Sequence, residues 1–288
     1  MSFCRISGQE IHFPFFVPEL TFLGSRNTPQ AKAGISFSSQ ELTLSRRATG
    51  WVAGAQRRVE TWFARSGILL KVSGGCNVYI ALGGQDLIPL KAGRPKKIIT
   101  GRDREILLGP ALVLALALRG TWCLHASAAM IGERLTVFLG ESGAGKSTLA
   151  AYLVNNKASR WALVADDILP VTVSRKGLLA WPRFPQLKLP AQQQPGTSLP
   201  ESLPVSRICV LVDDVGRAKP ELKSIPSLQA AQVLLNHTAG TRLFDPGLLT
   251  DHLAFCAQAA KKAPMYQLPY TRQKAALPAI KQALERPC

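Results

Sequence analysis

The residues Gly140-Glu141-Ser142-Gly143-Ala144-Gly145-Lys146-Ser147 fit the pattern G-x4-G-K-[ST]. A bound phosphate needs many hydrogen-bond donors and little steric bulk around it. Glycines let backbone N–H groups curl round the oxygens, and a following helix adds the positive end of its dipole. In such a P-loop Lys146 neutralises the β- and γ-phosphates. Ser147, with Thr148 beside it, offers a hydroxyl where Mg2+ bridges phosphate oxygens. The apolar run Leu135–Leu139 before the motif and the helix-forming run Lys146–Val154 after it supply the strand and helix that the cradle needs.

A phosphate cradle implies a nucleotide but not a reaction. Transfer of a phosphoryl group to a hydroxyl needs an acceptor for the hydroxyl proton, and a carboxylate at the end of a neighbouring strand suits that task. Asp166-Asp167 follow the apolar run Ala162–Ala165 at what reads as such an end. Adjacent carboxylates project differently, so one can join a metal shell while the other faces the acceptor. As a plain alternative, both are solvated turn aspartates. His125, in Leu124-His125-Ala126-Ser127, lies one strand before the cradle. A lone histidine in an apolar stretch is more often a core or surface residue than a functional one. A later apolar run, Ile208–Val212, ends in Asp213-Asp214, which offers a different metal carboxylate.

The elements that must position these groups are readable in outline. Residues 1–100 carry short apolar stretches, Ile68–Val72 and Val78–Leu82, punctuated by Gly74-Gly75 and Gly83-Gly84, the pattern of strands and turns. Within them Val52–Trp62 reads as a short helix and Gly24–Ala33 as a loop. From residue 101 the order is helix (Glu105–Leu118), strand (Trp122–Met130), strand, glycine loop, helix, with buried strands at Ala162–Ala165, Ile208–Val212 and Met265–Leu268. Trp181–Pro204 holds six prolines and a glutamine run at Gln192–Gln194, so it cannot be regular helix. Ala279–Leu284, directly after Pro278, reads as a closing helix. The expected fold is α/β, with a β-rich N-terminal domain over 1–100 and a larger P-loop domain over 101–288.

Composition narrows the setting. The 288 residues are 47% hydrophobic, enough for a substantial core. Six cysteines stand singly, without metal-ligand spacing or a small secreted frame, which points to a reducing cytosol. The N-terminus lacks a signal-like apolar core, and the apolar run Ile106–Leu118 is too short to cross a bilayer and contains Gly109 and Pro110. The formal charge of +17 is spread over both halves of the chain. No recognition motif accompanies it, so solubility accounts for it better than nucleic-acid binding. Its densest stretch, Lys91–Arg104, reads as a solvated linker.

The segment LHASAAMIGERLTVFLGESGAGKSTLAAYL, followed by ALVADDILPV, resembles the catalytic domain of HPr kinase/phosphorylase and its relatives. The similarity spans about residues 105–288 and is specific only from His125 to Pro170. The resemblance implies a sheet similar to that of phosphoenolpyruvate carboxykinase, ATP and Mg2+ as cofactors, Asp167 as proton acceptor and His125 beside the reacting phosphoryl group. Asp166 would join Ser147 at the metal. The L-E-I-R-G signature of HPr kinases proper is absent, and no acidic residue occurs between Asp167 and Glu201. Pro182-Arg183-Phe184-Pro185-Gln186-Leu187-Lys188-Leu189 instead is similar to a P-x-x-P-x-L-[KR]-L pattern of HPr-kinase-like proteins, among them lasso-peptide kinases that phosphorylate a serine. Arg183 and Lys188 are thereby candidates for holding transferred phosphate or an acidic substrate, with plain surface charge as the alternative.

The leading expectation is thus a kinase acting on a protein or peptide hydroxyl, compatible with homo-oligomers. The alternatives are an ATP-driven switch with Asp213 as its Walker B residue, and a small-metabolite kinase. Removal of the ammonium in Lys146→Ala should abolish most ATP binding with little change in folding, and calorimetric titration with ATP checks it. Unchanged affinity would overturn the cradle.

Overall fold

The β-rich N-terminal part is built on turns that force the chain back on itself. The computed structural model describes residues 2–13, 26–27, 42–92, 94–96, 98–155, 160–189, 199–213, 220–271 and 273–286. The expected loop at Gly24–Ala33 lies outside them except for Arg26–Asn27. Two units are distinct: residues 1–123 with 239–251, and 124–238 with 252–288.

In the first unit, β1 (Ser2–Ile6) pairs with β2 (Gln9–Phe13) and β3 (Arg26–Asn27), burying Cys4, Ile6, Ile11 and Phe13. A separate antiparallel meander follows, made of β4 (Thr43–Val52), β5 (Ala55–Ala64), β6 (Gly67–Val72), β7 (Asn77–Ala81), β8 (Leu87–Lys91) and β9 (Arg94–Pro95). The helix expected at Val52–Trp62 is instead the β4–β5 hairpin. Ala53 and Gly54 take φ of +49° and +73° there, the primed-turn geometry that suits strand twist. Beyond the turn Val59 and Thr61 are buried at alternate positions, a period of two rather than 3.6.

The apolar segment expected as one helix is two, joined by a π-helical turn. These are α1 (Gly101–Ile106) and α2 (Leu112–Ala117), with Leu107–Ala111 between. Pro110 has no N–H to continue the ladder, and Gly109 leaves helical geometry at φ −95°, ψ −107°. The helix start is fixed reciprocally: Asp103 N–H donates to the Thr100 hydroxyl, and Thr100 N–H donates to the Asp103 carboxylate, which Lys96 also meets. The basic stretch read as a solvated linker is therefore anchored. Residues 239–251 return to this unit, where Arg46 Nε donates to Phe244 O and Thr61 Oγ1 to Leu243 O. The π-helical turn Leu107–Ala111 packs on β7 and β8, and Thr241–Leu243 packs on β4 and β5.

The second unit is mixed α/β. It comprises β10 (Trp122–Ile131), β11 (Arg134–Leu139), α3 (Lys146–Val154), β12 (Trp161–Ser174), β13 (Gly177–Ala180), β14 (Leu203–Val212), β15 (Lys223–Ser224), α4 (Ser227–His237), α5 (Pro246–Lys262), β16 (Met265–Pro269) and α6 (Leu277–Glu285). The helix α5 begins in the first unit and ends in this one. The sheet order is β11-β10-β12-β13-β14-β16-β15, with β11 also paired to β14, so five strands close a ring. In the parallel trio β11, β14 and β16, the runs Val137–Leu139 and Ile208–Leu211 are continuously apolar because both of their faces are buried. One face packs Ala129, Phe138, Cys209, Leu211 and Leu268 against Leu149 and Leu153 of α3 and Ile280 and Leu284 of α6. Pro278 opens α6 as expected, and Arg207, buried in the sheet, donates to Thr136 Oγ1 at 3.0 Å. Among the described residues no helix is long and apolar enough to cross a membrane.

Behind β10, the imidazole of His252 is 1% exposed and lies 2.8 Å from Thr238 Oγ1 and 3.3 Å from Cys256 Sγ. Burial pushes its pKa below the ordinary histidine value. Below about pH 6.5 the unfolded chain then binds a proton that the folded chain resists, so His252 removes stability as pH falls and none above that range. Urea unfolding at pH 7 and pH 5 should show a drop that His252→Gln lessens; equal pH slopes for both proteins would refute this.

Candidate functional site

The glycine-rich loop leaves β11 at Leu139 and enters α3 at Lys146. Gly145 caps the helix at φ +95°. A Cβ there would stand 2.5 Å from the Tyr270 ring, which is itself buried, so backbone and packing both require glycine. Lys146 is 8% exposed, and its Nζ donates back to Gly140 O at 2.8 Å and Glu141 O at 3.1 Å. Burial pushes its pKa down, opposed by Asp167 and Glu141. Ser142, Gly143, Ser147 and Thr148 face solvent around it, and Ala144 N–H donates to Glu141 O, tightening the loop. The loop thus surrounds a buried ammonium whose present acceptors are two of its own carbonyls. An anion would satisfy it better.

The two aspartates do not end a strand. Because Ile168–Ser174 continues into a hairpin with β13, Asp166 and Asp167 lie inside the fourteen-residue β12. Successive side chains of a strand face opposite sides, yet His125 and Ser127, two residues apart on β10, meet both carboxylates. Ser127 Oγ donates to Asp166 Oδ1 at 2.8 Å, and His125 Nδ1 lies 3.3 Å from Asp167 Oδ1. What breaks the alternation is Asp167 itself, at φ +145°, a conformation that costs a non-glycine residue about 1–3 kcal/mol.

The clamp that holds this conformation is Gln186, 1% exposed. Its side-chain carbonyl accepts from Asp166 N–H at 2.9 Å, and its amide donates to Ile168 O at 2.9 Å. A side chain thereby occupies the place of a neighbouring strand on both sides of Asp167. Sequence reading passed over this residue.

Of the two basic residues of the proline-rich segment, the structure brings one to the site. Lys188 Nζ stands 2.7 Å from Asp167 Oδ1 and is two-thirds exposed (66%). Arg183 instead donates to Leu199 O at 3.4 Å, and its Nε is buried without a hydrogen-bond partner among the described residues. Burial pushes the His125 pKa down, against the raising effect of Asp167 and with the lowering effects of Lys146 and Lys188. The imidazole is thus neutral at pH 7, with one N–H to give. Asp213 is exposed just beyond the end of β14, the parallel neighbour of β11. Asp214 lies outside the described residues, as does the glutamine run.

Among the described residues no three or more of His, Cys, Asp and Glu gather as a metal site. Mg2+ needs no such cluster, since it takes one or two protein groups and completes its shell with phosphate and water. Ser147 and Asp166 are residues of that kind. Ser127 occupies one Asp166 oxygen and leaves the other for a ligand.

No family model matches this chain, and no curated protein matches it. Among solved structures it is similar to the Hpr(Ser) kinase/phosphatase from Coxiella burnetii, at 14% identity, over 56% of this chain and 87% of that one, with a TM-score of 0.33. That likeness is distant, and the chemistry has to be read from the site.

Gly145→Ala should lower stability by about 1–3 kcal/mol through the left-handed φ and the Tyr270 ring. Denaturant midpoints check it, and an alanine variant as stable as the parent would contradict the packing.

Proposed function

We propose that this chain is an ATP-dependent phosphotransferase that delivers the γ-phosphate to a hydroxyl, that of a serine in a small protein or precursor peptide. The observation that carries the reading is Asp167: a strained carboxylate held on the same strand face as Asp166, with an imidazole and an ammonium beside it, in the unit whose glycine loop surrounds Lys146. Proteins retain such strain where geometry has a task.

In this reading the loop N–H groups from Gly140 to Ser147, with the start of α3 at Thr148, take the phosphates. Lys146 exchanges its carbonyl partners for phosphate oxygens. Ser147 and Asp166 would hold Mg2+, which when bound neutralises charge on the β- and γ-phosphates. The acceptor hydroxyl approaches Asp167, its oxygen forms the new bond to the γ-phosphorus, and the bond from that phosphorus to the β–γ bridging oxygen breaks. The hydroxyl proton passes to Asp167. Neutral His125 steadies the carboxylate without adding positive charge. Lys188 is exposed enough to leave Asp167 and follow the transferred phosphate, the role expected for it from sequence. Arg183, tied to Leu199, supports the segment that carries Lys188.

A second reading has one observation behind it. Asp213 follows β14, which runs parallel to the strand of the loop, where a switch ATPase carries its metal carboxylate. The two readings separate by mutation. Asp167→Asn should cut phosphoryl transfer by roughly 10²–10⁴-fold with ATP affinity changed far less. Transfer of labelled phosphate from ATP to serine peptides and to small hydroxyl compounds measures it and sorts peptide from metabolite acceptors. Acceptor-independent hydrolysis lost in Asp213→Asn and kept in Asp167→Asn would favour the switch.

A further inference from the structure

The first unit holds a cavity that the chemistry above does not use. It has a volume of about 330 Å³ and lies between the β6–β7 turn, the end of β8 and the start of α1. Leu90 and Cys76, both buried, give it an apolar wall. Burial, with Asp103 beside it, pushes the Cys76 thiol up to about 12, so it keeps its proton and is no nucleophile. Asp103 is the one carboxylate of the lining among the described residues, and it is already paired. The Lys96 ammonium and the N–H and hydroxyl of Thr100, both at 2.8 Å, converge on its Oδ2. Against the raising effect of its burial they hold its carboxyl down at about 2, so it stays ionised.

What remains unneutralised is positive. Lys91 and Arg102 line the cavity and are exposed. Arg57 stands beside the same turn, its Nη1 donating to Ser73 O at 2.9 Å, while Arg102 Nη1 donates to Gly74 O at 2.9 Å. Neither guanidinium nor the Lys91 ammonium meets a carboxylate among the described residues. Backbone carbonyls thus fix the two arginines in place and leave their charges for a ligand.

The type of anion follows from what the walls lack. A dedicated phosphate site is built from convergent backbone N–H groups. Those of Gly75, Lys96 and Thr100 are taken by Val72 O, Pro89 O and the Asp103 carboxylate. A single-stranded nucleic acid is held by aromatic faces as well as by cations. No aromatic side chain lines the cavity among the described residues. Exposed cations on flexible stems suit carboxylates that are likewise on flexible stems.

We propose that this cavity is a docking site for an acidic peptide segment, whose Asp or Glu carboxylates meet Lys91 and Arg102 beside the apolar wall. The site stands apart from the glycine loop, and its occupation needs neither nucleotide nor transfer.

The test is fluorescence anisotropy of the full chain with a labelled Glu-rich peptide and its Gln-rich counterpart, at physiological salt. The Glu peptide should bind the parent about tenfold or more tightly than the Gln peptide. Lys91→Glu and Arg102→Glu should each weaken it about tenfold or more, the worth of one charge-assisted hydrogen bond. Arg65→Glu makes the same change of charge at the other end of β6, about 20 Å away along the strand. It should alter affinity less than about twofold, since salt screens exposed charges at that separation. Lys91→Gln and Arg102→Gln remove charge without reversing it and replace the reversals if those lower the denaturation midpoint. An equal loss in Arg65→Glu, or a parent that binds the two peptides alike or binds neither, would overturn the site. Citrate, inorganic phosphate or single-stranded RNA that displaced the label at lower concentration than unlabelled Glu peptide would overturn the peptide as its ligand.

Discussion

Everything at the site depends on two neighbouring carboxylates being presented to one side of a strand, which a regular strand cannot do. The backbone of Asp167 is bent out of its preferred range, and the surroundings hold it there. Gln186 ties the residues before and after it, Ser127 takes Asp166, and His125 with Lys188 takes Asp167. Strain on the order of 1–3 kcal/mol is a sizeable share of a domain's stability, so it persists only where several contacts oppose its release. Four residues do so here, from two different segments of the chain, β10 and the proline-rich stretch after β13.

The electrostatic arrangement has the same economy. Lys146 is buried, its ammonium bound to backbone carbonyls rather than to a carboxylate. A carboxylate partner would compete with phosphate for it; carbonyls yield more readily, since an ion satisfies an ammonium better than a dipole does. The imidazoles in the same unit are kept neutral by burial, so the site concentrates positive charge on one deep and one exposed lysine. The wider excess of cations on the chain needs no part in this.

How far the sequence discloses this depends on how local the cause is. The glycine loop was legible because strand, loop and helix are contiguous, and Lys146–Val154 is the helix that its residues imply. Asp166 and Asp167 were legible as a pair. Their place inside a strand was not, because the hairpin of β12 with β13 lies beyond them and the strain at Asp167 leaves no mark in residue type. Gln186 acts through hydrogen bonds to backbone groups of β12, in a different element from its own, and it carries no signal of its own. Two features had overlooked signals. Ala53-Gly54 marks a hairpin turn, and Asp245, which accepts from Leu248 N–H at 2.7 Å ahead of Pro246, marks the start of α5.

The return of residues 239–251 to the first unit bears on how the protein is made. Synthesis runs from the N-terminus, so the strands of that unit emerge early, while Leu243 and Phe244, whose carbonyls bond to Thr61 and Arg46, emerge only after β10 to β14 and α4. Neither unit is an uninterrupted stretch of chain. On the ribosome the meander must therefore wait, part of its packing unmade, until most of the polypeptide has been translated. A single proteolytic cut cannot release either unit whole.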